Sequence, residues 1–289
     1  MKRFSEIFFE SYRSAVEAAY EACLKIACVE FQRENADTQN EIGLFLEPEY
    51  KKWLYTVIEE LSGKTPLEYM NSVDGLDNLM AMFTQGAVIC DDALPEIYLE
   101  KLKACGEDAV DALIGLTSRS DIRENDDAFL PPVMAVKVLG KWKVQRAVEP
   151  LIKSLDSEGE LADLMFETVK DALVEIGSQA LDSIAEALES GKYSQTAGEY
   201  LLMAFAEIGK NHRSDKVYAQ IKKAFLGMPE KLIAASCLGD YGDGRAIPVL
   251  RGYVEKNGQS LNRETFFEIL SAIQKLGGNV DDIKFISGR

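Results

Sequence analysis

Few residues of this chain have the types and spacing that chemistry needs. They are one histidine and three pairs of adjacent aspartates. His212 is the only histidine among the 289 residues, which excludes a metal site built from several histidines of one chain. It follows Lys210 and Asn211 at a predicted helix end, where a histidine commonly faces solvent or contacts the last carbonyls. We therefore assign His212 no metal-binding or catalytic role.

The three acidic pairs are Asp91-Asp92, Asp126-Asp127 and Asp281-Asp282. Adjacent carboxylates can bind a cation or take part in acid–base catalysis. Each pair falls in a predicted loop or at a predicted helix start, where carboxylates commonly cap free backbone amides. The sequence also lacks a glycine-rich phosphate-binding motif. It therefore predicts no catalytic, cofactor-binding or metal-binding residue, and no cofactor.

The net charge narrows the classes of partner. The chain carries 32 Lys and Arg against 48 Asp and Glu, a formal charge of −16. So acidic a protein is poorly suited to nucleic acid or to an anionic membrane surface. Basic residues concentrate only between 210 and 256, a modest patch that we interpret as a solvated face or a dock for an acidic protein surface. We expect no nucleic-acid and no membrane partner.

The cysteines and the apolar segments indicate a compartment. The five cysteines are an odd number without paired short spacing, so we interpret them as reduced thiols of the core. No run of about 18 or more apolar residues is present that would span a bilayer. Glu6 and Glu10 interrupt the opening segment, which does not resemble a signal peptide. We expect a cytoplasmic protein that is a monomer.

The elements that would position any site repeat along the second half of the chain. Five apolar helical runs each end on a glycine, and successive glycines are 37, 32, 33 and 35 residues apart. We predict that each glycine adopts the left-handed conformation that ends a helix. The five helix ends are Leu139-Gly140, Ile176-Gly177, Ile208-Gly209, Tyr241-Gly242 and Leu276-Gly277.

A second helix follows each of the first four glycines, at 146–155, 179–188, 216–225 and 245–254. The third, sixth and tenth positions of all four segments are apolar, a spacing that makes one stripe along a helix. A single helix pair cannot bury such faces alone, so stacked copies must share one continuous core. The sequence therefore predicts an all-α fold built as an α-solenoid.

At these residues the chain resembles the HEAT-repeat family, and in particular the short HEAT-like repeats of proteins related to phycobilisome lyases. The link of many such repeats stands here as Gly242-Asp243-Gly244-Arg245-Ala246. The resemblance covers about 131–277, and 76–117 more weakly. It implies a right-handed, armadillo-like superhelix. It also implies contacts between the Asp and Arg of neighbouring links, which should be patchy because the other links are degenerate.

The resemblance divides the chain into two predicted parts. Residues 1–75 form an N-terminal helical cap region, and residues 76–289 form the HEAT-like solenoid. The charged segment 118–130 is predicted as a surface loop, after which Pro131-Pro132 starts a helix with preset φ angles.

An aromatic cluster lies in the N-terminal region at Tyr50, Trp53 and Tyr55. Tyr50 and Trp53 belong to a stripe with helical spacing, so we place them in the core. Tyr55 lies off that stripe and is the one we expect to be exposed. Aromatic side chains are also frequent at interfaces, which leaves Tyr55 as a candidate contact.

The resemblance implies that the second helices line the concave surface of the solenoid. Outward positions on these helices form a mixed polar surface that we call the ridge, and a peptide or helix of opposite charge order could lie along it. An ordinary solvated helix face is the alternative interpretation. The predicted partner-binding residues of the ridge are Glu149, Lys153, Asp182, Glu186, Lys223 and Arg251.

These observations favour a non-enzymatic scaffold or adaptor that binds a protein partner along the ridge. The alternative is a phycobilin-lyase-like enzyme or cofactor chaperone, with a pocket where the N-terminal helices meet the repeats. A nucleic-acid binder that uses 210–256 is a third possibility, and it would show steep salt dependence of binding.

Overall fold

The computed structural model describes residues 2–30, 38–90, 93–118, 126–156 and 162–285. Across these residues all regular structure is helical, apart from a single β-bridge between Ile58 and Lys64. The predicted all-α class is confirmed. The backbone contacts divide the chain into two compact units, Met1–Met134 and Ala135–Arg289. The predicted boundary between cap and repeats, at residue 75, stays a prediction.

The N-terminal unit is built around its first helix, which packs against the second and the fourth. Aromatic rings fill the space between them, because Phe8 and Tyr12 lie 5.3 and 5.2 Å from the ring of Trp53. The helices are α1 (Lys2–Glu30), α2 (Thr38–Tyr55), α3 (Pro66–Asn71), α4 (Leu76–Cys90), α5 (Glu96–Lys103) and α6 (Glu107–Thr117).

The predictions of a buried Trp53 and an exposed Tyr55 are confirmed, whereas Tyr50, also predicted in the core, is only half-buried. Trp53 is buried, and its indole N–H donates to Ser11 Oγ at 2.9 Å. Tyr50 is half-buried, and its hydroxyl accepts a hydrogen bond from the amide of Ile97 at 3.0 Å. Tyr55 keeps 66% of its surface exposed.

Two buried tyrosines of the N-terminal unit differ in how their hydroxyls are satisfied. The Tyr98 hydroxyl donates to the carbonyl oxygen of Leu79 at 2.7 Å. The Tyr69 hydroxyl is fully enclosed and has no hydrogen-bond partner among the described residues. Burial raises the pKa of both hydroxyls, so both stay protonated. Only the Tyr98 hydroxyl therefore forms a hydrogen bond that offsets the free-energy cost of its burial.

The segment predicted as a charged loop, 118–130, is helical over its last part. Helix α7 spans Asp126–Lys141 and contains Pro131 and Pro132, so the prediction that these prolines start the helix is wrong. The amide donors that the two prolines lack would bond to carbonyls of the first helical turn, so the loss is confined to the helix end. Residues 119–125 lie outside the described part of the chain.

Helix pairs follow one another along the C-terminal unit. The first helices pack in series, α9 against α11, α11 against α13, and α13 against α15, and each second helix from α8 onward packs against the first helix that follows it. The remaining helices are α8 (Val148–Lys153), α9 (Ala162–Ile176), α10 (Leu181–Ser190), α11 (Gln195–Asn211), α12 (Asp215–Gly227), α13 (Leu232–Tyr241), α14 (Ile247–Asn257) and α15 (Arg263–Lys275).

The five repeated glycines serve two different purposes. Gly177, Gly242 and Gly277 have φ angles of 82°, 76° and 83°, which confirms the predicted left-handed helix ends. The prediction is wrong for Gly140 and Gly209, which lie inside α7 and α11. A Cβ on Gly140 would stand 2.6 Å from the Cα of Ala172, and one on Gly209 would stand 2.6 Å from Val217 Cγ1. These two positions need glycine because a neighbouring element comes too close for a side chain.

Small residues also mark the packing surface of the first helices. Five positions before each repeated glycine stands an alanine or a cysteine, and all five residues are buried. One of them, Ala272, faces Gly239, where a Cβ would lie 2.9 Å from the Ala272 Cα. Small side chains at such contacts let helix axes approach closely. The five residues are Ala135, Ala172, Ala204, Cys237 and Ala272.

We predict that Gly140→Ala destabilises the protein by about 1–3 kcal/mol, because the added methyl group meets backbone atoms that cannot move aside. Gly115→Ala is the matched control, since this glycine of α6 is exposed and has open space around it. There we expect a gain of up to about 1 kcal/mol from helix propensity. Urea unfolding followed by circular dichroism measures both. Equal gains for the two variants would disprove the close contact.

A second prediction concerns the two buried hydroxyls. Tyr98→Phe removes a hydrogen bond and should cost about 1 kcal/mol, whereas Tyr69→Phe removes an unsatisfied group and should leave stability unchanged or higher. Thermal unfolding of the two variants beside wild type is the measurement. A loss for Tyr69→Phe as large as that for Tyr98→Phe would show that the Tyr69 hydroxyl does have a partner.

Candidate functional site

The six predicted ridge residues all lie on second helices of the C-terminal unit. Glu149 and Lys153 are on α8, Asp182 and Glu186 on α10, Lys223 on α12, and Arg251 on α14. The first five are exposed, whereas Arg251 is half-buried. Their exposure makes them available as a surface, and their partners within the chain distinguish one from another.

Two ion pairs join helix α10 to helix α12. Lys216 Nζ lies 2.7 Å from Asp182 Oδ1, and Lys223 Nζ lies 2.8 Å from Glu189 Oε1. In both pairs the partners are 34 residues apart, and the two pairs are seven residues apart along each helix. Residues seven apart share one helix face, so the pairs form two parallel rungs. The hydrogen bond that Lys216 donates to Asp182 raises the pKa of the lysine.

The link that carries the family resemblance makes a contact between repeats. The Arg245 guanidinium lies 2.7 Å from Asp243 of its own link and 2.8 Å from Asp215 at the start of α12. It also stands 4.4 Å from the centre of the Tyr218 ring. The hydrogen bond from Arg245 lowers the pKa of Asp243. The expected charge contact between neighbouring repeats is therefore present at this link.

Arg251 holds the last described segment of the chain against α14. Its guanidinium lies 2.6 Å from Asp282 Oδ2 and also donates to the carbonyl oxygen of Asn279. The ring of Phe285 packs 5.1 Å from Phe266 of α15. The acidic pair Asp281-Asp282 therefore contributes to a structural contact, and Arg251 is already occupied within the chain.

The other three ridge residues differ in this respect. Glu149, Lys153 and Glu186 are exposed, and none of them makes an ion pair or side-chain hydrogen bond with another described residue. The ridge thus consists of charges paired within the chain, at Asp182, Lys223 and Arg251, and exposed charges that form no ion pair with another described residue. The second group is the better candidate for partner contacts.

A groove of about 370 Å³ opens beside the rungs. It lies between the end of α10, the start of α11 and the second half of α12, and Lys223 with Glu189 belongs to its lining. Apolar side chains and three glycines make up much of the remaining wall. These residues are Leu188, Leu201, Met228, Gly191, Gly198 and Gly227.

Local structure fixes the walls of the groove. Gly191 takes a φ of 63°, which ends α10 and turns the chain. Ser194 then starts α11 as its N-cap, since its hydroxyl accepts from the amide of Ala197 at 3.2 Å. At the end of α12, the buried amine of Lys231 donates to the carbonyls of Leu226, at 3.1 Å, and Met228. Burial lowers the pKa of Lys231.

Gln220 is the polar side chain that is buried in the groove wall. Only 9% of its surface is exposed, and its carboxamide makes no hydrogen bond with another described residue. The sequence did not point to Gln220, because its neighbour Ile221 carries the apolar stripe. Gly198 and Gly227 were the available signal, since glycine inside a helix costs stability relative to alanine and can mark a functional requirement.

The residues first considered for chemistry have structural roles where they are described. His212 is exposed at the end of α11, and its amide donates to the Gly209 carbonyl at 3.0 Å, which confirms the predicted helix-end position. Asp91-Asp92 lies outside the described residues, as do the side chains of Asp126-Asp127. The described residues contain no group of three or more potential metal ligands. No helix among the described residues is long and apolar enough to cross a membrane.

No family model matches the sequence, and a comparison with curated proteins found no match either. The HEAT-like assignment therefore remains a prediction that rests on the glycine period and the link residues.

Cys237 gives a prediction that depends on pH. Burial raises the pKa of its thiol to about 12, so at neutral pH the reactive thiolate is nearly absent. We expect iodoacetamide to leave Cys237 unmodified in the folded protein, with labelling that increases as the pH rises toward that pKa. Half-buried Cys105 serves as the internal comparison in peptide mapping by mass spectrometry. Rapid labelling of Cys237 at neutral pH would show that its surroundings open.

Proposed function

We propose that the repeat region is a right-handed α-solenoid of HEAT-like helix pairs that binds a protein partner along the ridge, as a non-enzymatic scaffold or adaptor. The serial packing of first helices and the rungs at an offset of 34 residues support stacked repeats. The observation that carries the functional part is a set of exposed charges on α8 and α10 that form no ion pair or side-chain hydrogen bond among the described residues, Glu149, Lys153 and Glu186.

The positions of these charges define the chemistry of the partner. Lys153 favours an acidic group, and Glu186 favours a basic group one repeat further along. A partner segment with this charge order would gain from both contacts, whereas the reversed order would be repelled. Asp182 and Lys223 contribute less, because a partner must first compete with Lys216 and Glu189 for them.

The test is a charge reversal of Lys153→Glu together with Glu186→Lys, which keeps the net charge. Neither change breaks an ion pair among the described residues, so folding should be unaffected. We expect a protein captured by wild type from a lysate of the source cells to be lost or reduced at least about tenfold, since two charged contacts become repulsive. Quantitative mass spectrometry of the captured proteins is the measurement.

The matched control reverses two exposed charges on first helices, Glu175→Lys with Lys210→Glu. It should retain the partner. If the ridge variant retains every protein that wild type captures, the ridge is not the binding surface. An absorbing small molecule that copurifies with the protein, with no captured protein, would support the phycobilin-lyase-like alternative.

A further inference from the structure

The carboxamide of Gln220 is an unusual group to leave without a partner. Its side chain is nine-tenths buried and makes no hydrogen bond within the described chain. Its polar atoms are not sealed in the core, because the Tyr69 hydroxyl is the one fully enclosed unsatisfied side-chain atom of the described residues. Gln220 lines the groove. The carboxamide thus keeps some accessible surface, and Gln220 is part of the groove wall.

Burying the Gln220 carboxamide in this way lowers the stability of the free protein, because no internal hydrogen bond compensates for it. A polar group that is largely buried and forms no hydrogen bond within the described chain loses part of its hydration and gains no internal bond in exchange. A methionine of similar length would fill the same space without this cost. A ligand in the groove that bonds to the carboxamide would recover the lost hydrogen bonds on binding.

We infer that the groove binds an extended peptide segment through Gln220 and an apolar side chain of that segment. A carboxamide has donors on its nitrogen and an acceptor on its oxygen. In an extended strand, the N–H and C=O of one residue point to the same side, as in sheet pairing. The carboxamide can therefore pair with both groups at once, and this inference rests on the proposed function of binding a protein partner.

The walls and the charges of the groove fit this occupant. Leu188, Leu201 and Met228 provide an apolar surface for one side chain, and a volume of about 370 Å³ lies in the range of sites for small ligands and short segments. The charged groups of the lining, Lys223 and Glu189, neutralise each other at 2.8 Å. No unpaired cation of the lining attracts a phosphate or another anion, which favours the uncharged peptide group.

The groove also adjoins the ridge, because Lys223 belongs to both. A peptide lying across the second helices would reach the groove at α12 with its backbone close to Gln220. The inferred partner is therefore an extended segment that is anchored at Gln220.

The test is selection of short random peptides, displayed on phage, against the full chain. We expect enriched peptides with an apolar residue, and the strongest of them is then measured by isothermal titration against variants. Gln220→Met should weaken binding about 30-fold, because it removes both hydrogen bonds of the carboxamide. The same variant should melt at the same temperature as wild type or higher, because it loses no internal hydrogen bond.

A second variant blocks the groove by its volume. A Cβ on Gly227 meets no atom within 4 Å, so Gly227→Leu places its side chain in the open groove without strain. We expect it to abolish binding. The matched control is Gly115→Leu, another helical glycine with open space, in the N-terminal unit. The control should bind as wild type does.

Two results would overturn the inference. One is that no peptide is enriched, and the other is that enriched peptides bind Gly227→Leu and Gln220→Met as tightly as wild type. The second result, combined with loss of the peptide in the Lys153→Glu and Glu186→Lys variant, would leave the proposed ridge function intact and place the peptide outside the groove. Loss of stability in Gln220→Met would also count against it, since it would reveal an internal role for the carboxamide.

Discussion

The close approach of the first helices is the constraint on which the C-terminal unit depends. Gly140 against Ala172 and Gly239 against Ala272 leave no room for a side chain at the contact. Each contact fixes where the next helix pair lies, and so fixes the spacing between second helices on the other side. The ion-pair rungs and the groove lie among the second helices, at α10 and α12.

The sequence revealed the repeating part of this design because the signal is local. A stripe of apolar residues and a glycine at its end determine a helix and its stop, and Gly177, Gly242 and Gly277 behave accordingly. Gly140 and Gly209 look the same in the sequence but are set by what opposes them in space. Ala172 and Val217 belong to other helices, α9 and α12, so the local pattern of α7 and α11 could not distinguish the two uses of glycine.

The candidate sites show the same division. Exposure of the ridge residues could be predicted from their place on each helix, and five of the six are exposed. Their pairing could not be predicted, since it depends on the lateral offset between α10 and α12. Gln220 was hidden for a similar reason: its burial comes from the neighbouring helix, and nothing in its own helix indicates it. A polar residue next to an apolar stripe is predicted to be exposed unless the helices that pack against it are known.

The rungs and the glycine contacts respond differently to the solution around them. Lys216–Asp182 and Lys223–Glu189 are exposed ion pairs, which dissolved salt screens. Glycine against alanine is a contact of neutral atoms, on which salt has little effect. Ionic strength therefore acts on one side of the helix stack and not on the other. The contacts that dissolved salt weakens are thus the two ion pairs between α10 and α12, beside the groove.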